Sequence, residues 1–180
     1  MRKINYSVLD LAYVREGDTL NQTFKNTLDN AKFVDEIGYS RYWLSEHHNM
    51  QNVASAANSL LIGYVANGTS RIKVGSGGIM LPNHTALSVA EQFGTLDALY
   101  PNRIDLGLGR APGTDQLTAS ILRRGDNFMN YDFEAEIKNL QNYFSLDNKE
   151  SKVRAIPGEG ANVPIYILGS STDSAFWRLN

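Results

Sequence analysis

The sequence contains no cysteine. That excludes disulfides, thiolate nucleophiles and cysteine-bound metals, and it suits a reducing compartment. An excess of positive charge is missing as well. Its 17 Lys and Arg stand against 19 Asp and Glu, a net charge of −2, so no basic field attracts nucleic acid or anionic lipid. No apolar run approaches the roughly 18 residues needed to span a bilayer. The start, MRKINYSVLD, has two basic residues but lacks the apolar stretch of a signal peptide behind them. Repeats and low-complexity segments are also lacking. These absences lead to the expectation of a cytoplasmic protein that binds neither nucleic acid nor membrane.

What is present is an ordinary globular composition, 42% hydrophobic and 20% charged over 180 residues, enough for one domain over 1–180. Strand-like and helix-like segments alternate. Residues 4–9 are β-prone. Leu20, Phe24, Leu28, Ala31, Val34 and Ile37 recur at helical spacing, and Gly38 stops that helix. Strand signals follow at 39–45, 71–76, 103–108 and 163–168. Helices fit 55–67, with Leu60, Leu61, Tyr64 and Val65 inward, and 85–100, ended by Pro101. A long polar connection runs over 111–131, with a short helix near 118–123. Asp132 caps a helix whose apolar face is Phe133, Ile137, Leu140 and Phe144. The order βαβαβαβαβ predicts an α/β fold with a parallel sheet, either doubly wound or a (β/α) barrel.

Asp10, Glu46 to Asn49, Gly77-Gly78, Gly109-Arg110 and Gly169 to Ser171 each follow a predicted strand. In a parallel sheet those strand ends share one face, and that face binds ligands in both architectures. In Glu46-His47-His48 a histidine can serve as general acid or base, or the segment can simply cap the next helix. Adjacent side chains in extended backbone point oppositely, so at most one histidine enters the site, and periodicity does not say which. Two adjacent histidines without a further histidine or carboxylate set argue against a metal. Gly75-Ser76-Gly77-Gly78 lacks dinucleotide-fingerprint spacing; it allows close approach of a planar ligand or forms a turn that breaks the third strand. Arg110 is placed to bind a phosphate or carboxylate, or else to pair with Asp105 or Glu91. The Gly169-Ser170-Ser171 turn suits an anion at a helix start, or an ordinary cap by Ser171 or Thr172.

Four runs in order, WLSEHHN at 43–49, RIKVGSGGIMLPNH at 71–84, AEQFGTLDALYPNRIDLGLGRAPGTD at 90–115 and PIYILGSS at 164–171, resemble the bacterial luciferase-like flavin-dependent monooxygenases. The resemblance implies a TIM-type (β/α)8 barrel that binds reduced FMN at its strand C-termini. It also implies oxidation of a small organic, aldehyde-like substrate with dioxygen, and a separate flavin reductase as supplier of the cofactor. On it, His47 matches the catalytic histidine, and Gly77 and Gly78 match the segment under the flavin ring, where luciferases have a non-proline cis peptide. Arg110, Gly169, Ser170 and Ser171 match the phosphate-side contacts. Light-emitting members carry cysteine where this chain has Gly109, which points to a non-luminescent relative. A deazaflavin cofactor is a variant of the same reading.

An eight-unit barrel needs about 250 residues. The expectation is therefore the N-terminal five βα units of such a barrel, incomplete, with exposed apolar surface that favours a homo-oligomer such as a dimer. The alternative function is a non-catalytic flavin-binding or self-associating fragment.

Overall fold

The computed structural model describes residues 4–123 and 131–169. Five strands, β1 (Ser7–Asp10), β2 (Arg41–Leu44), β3 (Lys73–Met80), β4 (Ile104–Gly109) and β5 (Ile165–Ile167), form one sheet in the order β1-β2-β3-β4-β5. Every neighbouring pair is parallel. Between them lie α1 (Leu20–Glu36), α2 (Asn58–Gly68), α3 (Ala86–Leu99), the short α4 (Gln116–Leu122) and α5 (Phe133–Phe144).

The strand order settles which parallel architecture this is. Parallel crossovers are right-handed, so a chain that always steps in the same direction lays all its helices on one face. A doubly wound sheet reverses direction and covers both faces. Here the order never reverses, and α1 packs on α2, α2 on α3 and α3 on α5. The fold is that of five consecutive strands of a TIM-type barrel with the helices that connect them.

Strand alternation then divides the side chains. Tyr42, Leu44, Val74, Ile104, Leu106 and Leu108 are buried with Ile62, Val65, Val89, Phe93, Ile137 and Leu140 in one apolar core. The alternate positions Trp43, Gly75, Asp105 and Gly107 look to the concave face. There Arg41 Nε donates to Asp105 Oδ2 at 2.8 Å, Lys73 Nζ lies 3.6 Å from Asp105 Oδ1, and Arg41 Nη2 donates to the Tyr166 hydroxyl at 2.8 Å. Asp105 is therefore the partner of Arg41 and Lys73, and the alternative in which it pairs with Arg110 does not form.

The caps follow local chemistry. Thr19, Thr85 and Asp132 accept from the N–H of Gln22, Ser88 and Ala135, closing the first turns of α1, α3 and α5. Phe133, Ile137, Leu140 and Phe144 are buried as the spacing predicts.

Four expectations need correction. The first strand runs over Ser7–Asp10, later than 4–9, because Ile4 and Tyr6 have no covering layer and are exposed. The third strand does not end at Gly77-Gly78. It continues to Met80, with a register shift between Ser76 and Ile79, because β4 pairs on both sides of the irregularity. In α2, Leu60 and Tyr64 face outward, and Leu61, Ile62, Val65 and Ala66 are buried. That helix is apolar almost all round, so spacing alone does not fix its rotation. Leu20 and Ile37 are exposed at the two ends of α1.

Candidate active site

The C-terminal ends of the strands carry two open clefts. The first, about 250 Å³, is lined by Leu9, Trp43, Gly77, Gly107, Tyr166 and Leu168, with Ser76 and Ile167. Its floor is bare backbone, and packing enforces that. A Cβ on Gly107 would stand 2.2 Å from the Ser76 carbonyl oxygen. On Gly77 it would meet Leu9 Cδ1 and Trp43 Cβ, both at 2.9 Å. The Gly77–Gly78 peptide in this floor is cis. Trp43 and Tyr166 meet edge to face with ring centroids 5.3 Å apart, forming an aromatic wall. The result is a flat apolar slot.

The second cleft, about 350 Å³, lies between the loops after β2 and β4 and is lined by His47, His48, Asn49, Met50, Gly113, Thr114 and Asp115. Three bonds pin these loops together. Thr114 Oγ1 donates to the His48 carbonyl at 3.0 Å, Asn49 Nδ2 donates to Asp115 Oδ2 at 3.0 Å, and the His48 N–H reaches the Gly113 carbonyl at 3.4 Å. Gly113 sits at φ +65, and a Cβ there would come within 2.8 Å of the Glu46 carbonyl oxygen, so only glycine fits without strain.

Beneath this cleft lies Glu46, completely buried. One of its oxygens, Oε1, accepts from His48 Nε2 at 2.8 Å, His84 Nε2 at 2.9 Å and Asn83 Nδ2 at 3.3 Å. The other, Oε2, accepts from the Met80 N–H at 2.9 Å. Burial alone raises a carboxyl pKa; the two imidazole hydrogen bonds and the Met80 N–H outweigh it and hold Glu46 down at about 2.

Both histidines line this cleft, where the expectation was that at most one would enter the site, and they differ in what they bond to. Glu46 and His48, two residues apart, share one face of the segment, and His48 is bound to the carboxylate. His47 makes no bond to Glu46 and reaches across to the loop after β4 instead. Its Nδ1 lies 3.2 Å from the Gly113 carbonyl oxygen. A carbonyl only accepts, so Nδ1 carries the hydrogen, and Nε2 of the neutral ring keeps its lone pair. A ring held this way can take up or return a proton at Nε2.

The predicted site residues do not all gather in one place. Gly77 floors the slot and Gly78 follows it in β3, while His47 lines the second cleft. Arg110 is exposed just past β4 and lines neither. Gly169 is exposed after β5; Ser170 and Ser171 lie outside the described residues. Asp10 turns to the helix side, where it accepts from the Tyr42 hydroxyl and from the Ala12 N–H at 2.8 Å. Sequence reasoning missed His84, whose only signal was its place just after a strand end in Leu81-Pro82-Asn83-His84. The histidine pair thus has a further histidine and a carboxylate beside it. Even so, no group of three such side chains among the described residues is set to hold a metal ion. Nor is any helix among them long and apolar enough to cross a membrane.

Known proteins resemble this chain in sequence and fold. A family model for luciferase-like monooxygenases matches residues 4–175. The chain is 59% identical over 170 residues to the uncharacterised protein YvbT of Bacillus subtilis, covering 94% of this chain and 50% of that protein. To a luciferase-like monooxygenase of Escherichia coli K12 it is 49% identical over 174 residues, covering 97% and 52%. Among solved structures, apo-MsnO8 superposes with a TM-score of 0.87 at 36% identity, over 96% of this chain and 52% of that one. The FMN complex of the oxygenating component of 3,6-diketocamphane monooxygenase from Pseudomonas putida has a TM-score of 0.70 at 20% identity, over 93% and 52%, a likeness of fold. The chain spans about half the length of the curated relatives it matches. With the family match extending over nearly every described residue, the chain belongs to the luciferase-like monooxygenases.

Proposed function

We propose that the glycine-floored slot binds the ring of reduced FMN, and that the protein oxidises a small, aldehyde-like organic substrate with dioxygen. The observation that carries this reading is the slot itself. Its floor is kept free of side chains by close backbone contacts, and its walls are Trp43, Tyr166, Leu9 and Leu168. A flat apolar recess of this kind fits a planar ring system and excludes water from one of its faces. The solved FMN complex with the same fold supports the choice of flavin.

In this reading the flavin supplies electrons for activating dioxygen, and a separate reductase supplies the reduced flavin. The residues of this chain bind, orient and move protons. His47 exchanges a proton at Nε2, with Nδ1–H fixed on Gly113. Arg110, exposed beyond β4, with Gly169 and the Ser170 and Ser171 that follow it in sequence, would hold the phosphate end. Gly77, with Gly78 next to it in β3, would hold the ring.

The test is a fluorescence titration of FMN against the purified chain, followed by turnover with reduced flavin, oxygen and a long-chain aldehyde. Binding with turnover is the expected result, and absence of FMN binding overturns the reading. Binding without turnover assigns a flavin-binding role alone. His47→Ala is expected to lower turnover far more than it weakens FMN binding. Arg110→Ala is expected to weaken FMN binding, and unchanged affinity removes Arg110 from the site.

A further inference from the structure

Glu46 is an expensive residue for mere stability, because a fully buried carboxylate is often replaceable by apolar packing without loss. Its partners show a more particular arrangement. On one side it holds His48, which fixes the segment that carries His47. On the other it accepts from Asn83 Nδ2, and the same Nδ2 donates to the Pro112 carbonyl at 2.8 Å. Pro112 immediately precedes Gly113, whose carbonyl receives His47 Nδ1. The carboxylate thus anchors the carriers of both the donor and the acceptor of that bond. The Met80 N–H on Oε2 ties the same anchor to the end of β3, two residues past Gly78.

We propose that Glu46 is the positioning residue of this site: it sets the direction and tautomer of His47 by holding both sides of the His47–Gly113 hydrogen bond. The inference rests on the reading of His47 given under Proposed function, yet it concerns the ring in the absence of any cofactor. Glu46 does not touch the cleft; its effect reaches the chemistry only through His47. The charged or titratable groups facing it are His48 and His84, and its other partners are the Asn83 amide and the Met80 N–H. Its ionised state, favoured by these donors, is what allows one oxygen to accept from three side chains at once.

The test is ring-nitrogen NMR on the 15N-histidine-labelled full chain without flavin, with the three histidines assigned from single replacements. In the unmodified chain His47 should show a protonated Nδ1 and a bare Nε2. Glu46→Gln keeps the size but places an NH2 where a lone pair is required. It is expected to shift the His47 tautomer ratio toward an even mixture by up to about tenfold, the loss of roughly one net hydrogen bond. Asp35→Asn, which alters a buried carboxylate at the opposite end of the sheet, serves as the control and should leave the His47 pattern unchanged.

A folded Glu46→Gln with an unaltered His47 pattern overturns the proposal, as does an equal shift in Asp35→Asn. If Glu46→Gln fails to fold, His84→Ala removes a single partner of the carboxylate. It should move the ratio in the same direction by a smaller factor, and no movement overturns the proposal. An FMN titration on the same samples separates the two ideas. If the unmodified chain does not bind FMN, the flavin reading fails while the ring-nitrogen result still stands or falls by itself.

Discussion

The two ends of the sheet each hold a buried carboxylate that accepts hydrogen bonds, and they use it differently. At the strand N-termini, Asp35 at the end of α1 accepts from the backbone N–H of Ser70, Arg71 and Ile72 at 2.8, 3.1 and 3.0 Å. Burial works against the charge there, but the three N–H groups prevail and lower the Asp35 pKa. Beside it, Arg103 donates to the carbonyls of Ile72 and Thr69 at 2.7 and 3.3 Å and to Thr69 Oγ1 at 2.9 Å. Almost every bond at this end satisfies a backbone group, which closes loops and joins helix to strand. At the strand C-termini, Glu46 accepts mostly from side chains, two of them imidazoles, and a third histidine stands free of it facing a cleft. One end fastens the chain; the other fastens it and aims a side chain.

The largest effect is expected from Asp35→Ala. It leaves three N–H groups, that of Ile72 buried, without their acceptor, and it should cost about 4 kcal/mol of unfolding free energy in urea. Below the unfolding transition, the His47 ring should be unaffected, which keeps the two ends separate.

Acid is expected to attack both ends together. A carboxyl whose folded pKa lies below its unfolded value stabilises the fold above the unfolded pKa, and that stability is lost as pH falls toward the folded one. For Glu46 the window runs from 4.5 down to about 2. The loss across it is about 3 kcal/mol, since each pH unit of displacement corresponds to about 1.4 kcal/mol. Asp35 acts in the same direction. Urea unfolding at a series of acid pH values checks this, and Glu46→Gln should flatten the slope.

Gly113→Ala should follow, at about 2 kcal/mol, because φ +65 is strained for alanine and the new Cβ crowds the Glu46 carbonyl. Unlike Asp35→Ala, it should also disturb the His47 ring. Thr69→Val is the mildest change, at about 1 kcal/mol. It removes the hydroxyl that bonds both Val65 O and Arg103, with no consequence at the far end. Thermal melts of the two variants give the ranking, and an altered His47 in Thr69→Val would break the contrast between the ends.

Much of the fold was readable because it is written in local chemistry. Asp132 followed by Phe133, Ile137, Leu140 and Phe144 gives a cap and a face within one helix, and both appear as expected. The alternation of elements likewise gave the parallel sheet. Reading failed where information is non-local or uniform. Gly77-Gly78 looks like a break by itself, but β4 pairs before and after it and carries the strand through to Met80. In α2 apolar residues on several faces hide which side packs. Of the candidate site, His47 stood out only through the family resemblance; what distinguishes its bonding from that of His48 is Glu46, which in turn meets His84, far along the chain. No spacing rule connects residues that meet only after three strands have assembled.

The bare floor of the slot also bears on how the protein tolerates change. At Gly107 the obstacle to a side chain is the main chain of the neighbouring strand, which no rotamer change can move aside. Any point mutation at that codon that introduces a side chain therefore pushes strands apart before it fills the recess. The shape of the recess is protected by the integrity of the sheet: variants that would block it are removed as folding failures, whatever the protein's activity.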